Sequence, residues 1–203
     1  MRRYLALFFI IINTMISESI AGKINLGVGF DYFPVARLQY VNNRNADFDI
    51  VDNIAWQGRA SYSLGNGFQG GLIFEYYGKR IHPNPSTTTE LSQWNLGLVG
   101  NYGYAITETG HMLLVAGIEA GYGELTDNSN TISMISSSPW IAGLAGTRFM
   151  IASAIWFDVD YRIGIQDFNM NTQPVKKYLF TGSSLRLSLD LPIYSTERKT
   201  GKK

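Results

Sequence analysis

The chain has 203 residues, a formal net charge of +1 and no cysteine, which excludes disulfide staples and thiolate metal sites. Charged residues make up 16% of it, against roughly 25% in an average globular chain. No long basic run is present, so the sequence carries no electrostatic footprint for nucleic acid. The length suits one domain and is sufficient to close a small barrel.

The first element in chain order is a targeting segment. Arg2 and Arg3 form a positive start, residues 4–12 form a short apolar core, and Ser19, Ile20 and Ala21 supply small residues at a cleavage spacing. Residues 1–21 therefore read as a secretory signal peptide cut after Ala21. The apolar run is shorter than the roughly 20 residues that a spanning helix needs. No later stretch is long and apolar enough for such a helix, so membrane residence would have to come from strands.

The mature chain alternates apolar and polar residues with period 2, which opposes the two classes across a strand. Residues 23–33 set Ile24, Leu26, Val28, Phe30 and Tyr32 against Asn25, Gly27, Gly29 and Asp31. Residues 53–64 oppose Ile54, Trp56, Ala60, Tyr62 and Leu64 to Gln57, Arg59, Ser61 and Ser63. Residues 68–79 oppose Phe68, Leu72, Phe74 and Tyr76 to Gln69, Gly71, Glu75 and Lys79, with Ile73 and Tyr77 spoiling the polar face. Residues 91–104 oppose Trp94, Leu96, Leu98, Tyr102 and Tyr104 to Gln93, Asn95, Gly97 and Asn101. In 112–122, Met112, Leu114, Ile118 and Tyr122 lie opposite Glu119. In 140–150 the rule falters, because Trp140 and Leu144 share a face with Arg148; a bulge is expected there. Residues 155–165 restore it, with Phe157, Val159, Tyr161 and Ile163 opposite Asp158, Asp160, Arg162 and Gly164. The last segment, 183–194, contains the clearest ladder: leucines 185, 187, 189 and 191 alternate with Ser184, Arg186, Ser188 and Asp190.

Eight strands are thus expected, joined by alternating short and long links. Gly65, Asn66 and Gly67, residues 107–110 and residues 151–153 are the short ones. The long ones are 34–52, 80–90, 123–138 and 166–179. A soluble barrel would expose a polar face rich in Lys and Glu. The polar face here is mostly Gly, Ser, Asn and Gln, so it reads as a lumen, and the apolar face reads as the exterior. Tyr32, Trp56 and Tyr76 lie towards the long-link rim; Tyr62, Phe68, Tyr102, Tyr104, Phe149, Phe157 and Tyr194 lie towards the other. Such aromatic girdles mark membrane barrels. The expectation is an all-β, eight-stranded, antiparallel up-and-down transmembrane barrel over 22–194, followed by a polar cationic tail, 195–203.

The run Gly143, Leu144, Ala145, Gly146, Thr147, Arg148, Phe149, followed by Phe157, Asp158, Val159, Asp160, Tyr161 and Arg162, resembles the small outer-membrane β-barrel family of OmpA-like and opacity-type proteins. The resemblance implies a Gram-negative outer-membrane location with both termini periplasmic. Its implied partners are outer-membrane lipid, lipopolysaccharide and the barrel assembly machinery. It also implies a closing strand that ends on an aromatic residue, usually Phe. This chain has Tyr194 and then Ser195 to Lys203, and Pro192 stands within the strand, where it must avoid a ladder bond or occupy a bulge.

The lumen of eight strands is just wide enough for side chains to fill. Arg59, Arg148, Arg162 and Arg186 fall inside with Glu75, Glu119, Asp158, Asp160 and Asp190, and a salt-bridged plug is expected of them. A narrow gated channel for small solutes is the alternative. An outer-membrane lipid-modifying hydrolase is a third reading, but it needs a base beside a nucleophile. The two histidines, His82 in a long link and His111 at a short turn, fall at opposite rims. No cofactor, metal site or enzymatic activity is expected. Function is left to the long links, where Arg37, Arg44, Asp47 and Asp49 mix with Tyr40 and Phe48, in a structural, adhesive or surface-recognition role towards a host or cell-surface ligand.

Overall fold

Backbone pairing closes the chain on itself. In the computed structural model, β1 (Gly22–Tyr40) is bonded to both β3 (Ile54–Leu64) and β9 (Lys176–Ser195). Between them run β4 (Phe68–Asn84), β5 (Thr87–Ala105), β6 (Met112–Asp127), β7 (Met134–Met150) and β8 (Trp156–Met170), each antiparallel to its neighbours. A short β2 (Asp47–Val51) pairs with β1 and β4, the same neighbours that β3 has, so β2 and β3 are two pieces of one stave. The result is a closed eight-stave barrel, with no helix among the described residues. The structure describes these strands, residues 67, 106–111 and 128, and parts of the 151–155 turn. The expected signal peptide, Gly65 and Asn66, and the tail beyond Ser195 lie outside the described residues.

The partner rows climb as they go round. Followed from Asn25 through Ser61, Gly71, Val99, Glu119, Ala142, Gly164 and Gly182, a row returns to β1 at Ala36, the stagger that closure demands. Two irregularities sit on the closing seam. Phe33 and Pro34 together oppose Ser184, and Ile193 is the extra residue between Pro192 and Tyr194. Pro192 and Pro34, which have no N–H to give a ladder, thus stand at register shifts.

Three tight links close one rim. Gly67 takes φ 91° and Gly110 takes φ 67°, conformations that suit glycine. The Gly110 amide donates to the Thr107 carbonyl at 2.9 Å, and the Ile151 amide donates to the Ile155 carbonyl at 3.0 Å. Both ends of the described chain emerge at this rim, since Gly22 pairs with Leu64 and Lys23 with Ser195.

At the other rim the long links prove to be largely sheet. β1 runs on to Tyr40, β4 and β5 leave only residues 85–86 between them, and β8 extends to Met170. His82 consequently lies within β4 and not in a loop. The alternation fades there because both faces of a wall that rises above an apolar solvent tolerate polar residues. The backbone ladder, which needs no particular side chain, carries on.

Over most of the wall, polar and charged residues turn inward and large apolar ones outward. Leu26, Val28, Leu72, Leu98, Ile118, Tyr161 and Leu189 are all exposed on the outer wall. A continuous wall of this kind far exceeds the apolar patches that water-soluble monomers show. Phe30, Trp56, Tyr76 and Trp94 are successive cross-strand partners at its upper border. Phe68 and Tyr102 stack at its lower border with ring centroids 4.9 Å apart. From Phe68 to Tyr76 the strand covers roughly 27 Å, or roughly 21 Å of thickness at a tilt near 40°, close to the apolar band of membrane barrels.

The expected bulge in 140–150 is absent. β7 keeps one register with β6 and with β8, so Trp140, Ala142 and Leu144 point inward on the same face as Arg148. They join Ile73, Val99 and Val115 in an apolar cluster inside the barrel. Gly97, whose Cβ would meet the Trp140 ring at 2.6 Å, leaves the space for the indole.

If this wall faces acyl chains, Leu98→Arg on β5 will lower unfolding stability in phospholipid bilayers by about 2–4 kcal/mol. In a water-facing wall the same exposed substitution would stay within about 0.5 kcal/mol of the parent. Urea unfolding of the refolded barrel in liposomes measures the difference.

Candidate functional site

The inward face of β1, β3, β4 and of β6 to β9 concentrates charge because cross-strand rows bring it together. One row runs Gly146, Asp160, Arg186, Asp31, Ala55. The next runs Arg148, Asp158, Ser188, Gly29, Gln57, Glu75, Asn95. Four arginines and six carboxylates line this part of the lumen, all of them buried. Glycines on the same face leave room for them: a Cβ at Gly27 would run into the Asp190 carboxylate, and one at Gly146 into that of Asp160.

Arg186 is the centre of the cluster nearer the long rim. Its Nε and Nη2 donate to the two Asp31 carboxylate oxygens at 2.9 and 3.1 Å, in a forked pair. Nη2 also reaches Glu75 Oε1 at 3.0 Å and Glu119 Oε2 at 3.2 Å, and Nη1 bonds Glu119 Oε1. Arg162 joins from β8, donating from Nε to Glu119 Oε2 at 2.7 Å and lying 3.3 Å from Glu75 Oε1. Its guanidinium stands over the Trp140 ring, 5.2 Å from the centroid, which links the charged and apolar halves of the lumen. Asn95 Nδ2 donates to Glu75 Oε2 at 3.1 Å.

The second cluster lies nearer the short-turn rim. Arg59 Nη2 donates to Asp158 Oδ2 and to Asp190 Oδ2, both at 2.6 Å. Arg148 forks onto Asp158 at 2.6 and 2.8 Å and gives its Nη1 to Gln69 Oε1 at 2.7 Å. Gln69 in turn donates to Ser61 Oγ at 2.5 Å.

The structure therefore brings Arg59, Arg148, Asp158 and Asp190 into one group and Arg162, Arg186, Glu75 and Glu119 into another. Asp160 lies between them on β8 with no arginine in ion-pair range among the described residues, and its Oδ1 has no hydrogen-bond partner. Asp31 is a member that sequence reasoning left out. Its signal was present, because the alternation in 23–33 already put it on the polar face. Trp140 was left out for the opposite reason, its apolarity.

Chemically this arrangement fills the interior with paired charges. The donors of Arg186 are all taken by carboxylates, and neither Ser184 Oγ nor Ser188 Oγ has a partner, so no base-activated nucleophile is assembled there. His111 is exposed at the short-turn rim. Among the described residues, no group of three or more His, Cys, Asp or Glu stands close enough to hold a metal.

No family model matches the chain, and no curated protein matches it. Solved structures do. Neisserial surface protein A superposes with a TM-score of 0.61 at 13% identity, over 84% of this chain and 97% of that one. The outer membrane protein OprG from Pseudomonas aeruginosa gives 0.54 at 10% identity, over 86% and 96%. At these identities the likeness is one of fold: the chain has the fold of the eight-stranded outer-membrane β-barrels.

Arg186→Met will leave Asp31, Glu75 and Glu119 without their common donor and lower stability by about 3–5 kcal/mol, whereas Asp160→Asn will stay within about 1 kcal/mol of the parent. Unfolding in urea reads both. Equal losses would mean that Asp160 shares the network. Gly27→Ala will push the Asp190 carboxylate off Arg59. Its cost will shrink by about 1 kcal/mol or more in an Asp190→Ala background, a coupling that a double-mutant cycle measures.

Proposed function

We propose that this chain is a bacterial outer-membrane barrel that works at its surface and not through its lumen. Its role is structural, adhesive or recognition of a cell-surface ligand, carried by the walls that rise beyond the upper aromatic border. The observation that carries this reading is Arg186: fully buried, held by Asp31, Glu75 and Glu119, it stands across the axis of the barrel. A conducting lumen would require these pairs to part, leaving charges unpaired in a site with little water. With the axis closed, the tall rim is the surface left for recognition, and β1, β4, β5 and β9 all extend into it.

The apolar exterior and its aromatic borders support placement in a bilayer. Residues 1–21 act as the export signal in this reading, and the rim that carries the tight turns and both chain ends faces the periplasm. Outer-membrane lipid and lipopolysaccharide bathe the wall, the barrel assembly machinery inserts it, and a host or cell-surface molecule is the ligand of the tall rim.

The expected results are a protein that fractionates with the outer membrane, is cut by protease on intact cells only in the links of the tall rim, and is silent in planar bilayers. Recovery as a soluble periplasmic monomer would overturn the placement. Steady single-channel conductance that changes on Arg186→Met would replace the proposal with the narrow channel.

A further inference from the structure

The β7–β8 ladder runs from Met150 and Trp156 up to Trp140 and Gln166 and stops there. Both strands continue, β7 to Met134 and β8 to Met170. Each stays paired on its other side, β7 with β6 as far as Asp127 and Met134, and β8 with β9 as far as Met170 and Lys176. Above Trp140 the wall is therefore two internally bonded sheets that no ladder joins. Pro139, the first β7 residue past the break, has no N–H to continue it.

Two side chains close the seam instead. Ser136 Oγ donates to the Asn169 carbonyl at 2.8 Å, and Gln166 Nε2 donates to the Ser138 carbonyl at 3.1 Å. The outer lips, Ser137, Pro139, Asp167 and Asn169, are exposed and mostly polar, which suits water or lipid headgroups better than acyl chains. Behind the seam, Ser136, Ser138, Leu125 and Phe168 are buried.

We infer that the barrel wall opens sideways at this seam, between the β6–β7 and β8–β9 pairs, giving access to the upper lumen from the side. Below Trp140 parting the wall would break a run of ladder bonds together. Above it, parting breaks, among the described residues, two neutral hydrogen bonds, each of modest net strength and replaceable by water. The axis below is closed by Arg186 and the Trp140 cluster, so the opening leads only into the region lined by Leu125 and Phe168.

The chain lacks cysteine, which makes the test direct. Leu125→Cys puts a single thiol at a position 2% exposed and opposite Ser136 in the β6–β7 ladder. In the full barrel in liposomes, a water-soluble maleimide will label this thiol. Adding Ser137→Cys and Asn169→Cys and oxidising them across the lips will slow labelling of residue 125 about tenfold or more, and reduction before labelling will restore it, both read by mass spectrometry on the peptide that carries residue 125 so that the lip thiols are not counted. Ser136→Ala combined with Gln166→Leu will speed it. A thiol that never labels, or one labelled equally fast with the staple closed, would overturn the inference, the second result showing entry along the axis. A β-sheet circular dichroism signature retained by every variant separates these outcomes from misfolding.

Discussion

The interaction on which the rest of this barrel depends is the guanidinium of Arg186, buried completely and shared by Asp31, Glu75 and Glu119. These residues are far apart in the chain and come from β9, β1, β4 and β6, so the group assembles only once the barrel has closed. A buried cation alone is strongly unfavourable, and three carboxylates alone would repel one another. Together they satisfy each other and make closure between the first and last strands a condition for the interior's stability. Arg162 and Asn95 then complete Glu119 and Glu75, and Trp140 receives the face of Arg162.

That centre explains why the lumen is divided. Long charged side chains occupy the walls of β1, β3, β8 and β9, with Glu75, Glu119 and Arg148 reaching in from β4, β6 and β7. Ile73, Val99, Val115, Trp140, Ala142 and Leu144 fill the side opposite. A lumen wholly of ion pairs would need a partner for every donor and acceptor in a narrow space. A wholly apolar one would leave the tilt and register of the staves poorly specified, since apolar contacts are non-directional. The combination fills volume with Trp140 and fixes register with forked arginine pairs. The inward glycines follow from the same constraint, because Gly97 faces the indole and Gly27 and Gly146 face carboxylates, so larger residues there would displace the groups that fill the lumen.

Period 2 carried most of the fold. The ladder of leucines 185, 187, 189 and 191 assigns its faces without ambiguity, and Leu185, Leu189 and Leu191 are exposed while Ser184, Arg186, Ser188 and Asp190 are buried. Where the alternation misled, the reason is physical. Trp140 and Leu144 were apolar on a polar face, and the simplest repair was a bulge. The lumen instead accommodates them, since an interior closed to water accepts apolar residues as readily as paired charges. Pro34 and the polar run after it read as a loop because proline and mixed charge punctuate strands. A bulge on the closing seam absorbs Pro34, and β1 continues. Asp31 was legible on its face but not as the partner of Arg186, because which inward charge meets which depends on stagger, and stagger is not a local property of sequence.

The same stagger accounts for the difference between the two ends of the barrel. At the short-turn rim the β3–β4, β5–β6 and β7–β8 pairs are bonded down towards their turns, and the ion pairs of Arg59 and Arg148 lie on that side of the lumen. At the tall rim the strands end at different heights, and β7 and β8 part company at Trp140 and Gln166. Gln166 belongs to both regions, accepting from Gln93 inside the lumen at 2.7 Å and donating to Ser138 across the seam at 3.1 Å. Its amide is where the packed interior meets the loosely joined wall. The chain therefore joins a lower barrel, whose neighbouring staves are held by ladder bonds and in several cases by charge, to an upper rim in which the β7–β8 seam hangs on neutral hydrogen bonds. Rigidity and adaptability are separated along the axis because arginine forks occupy only the level where inward charges from several staves coincide.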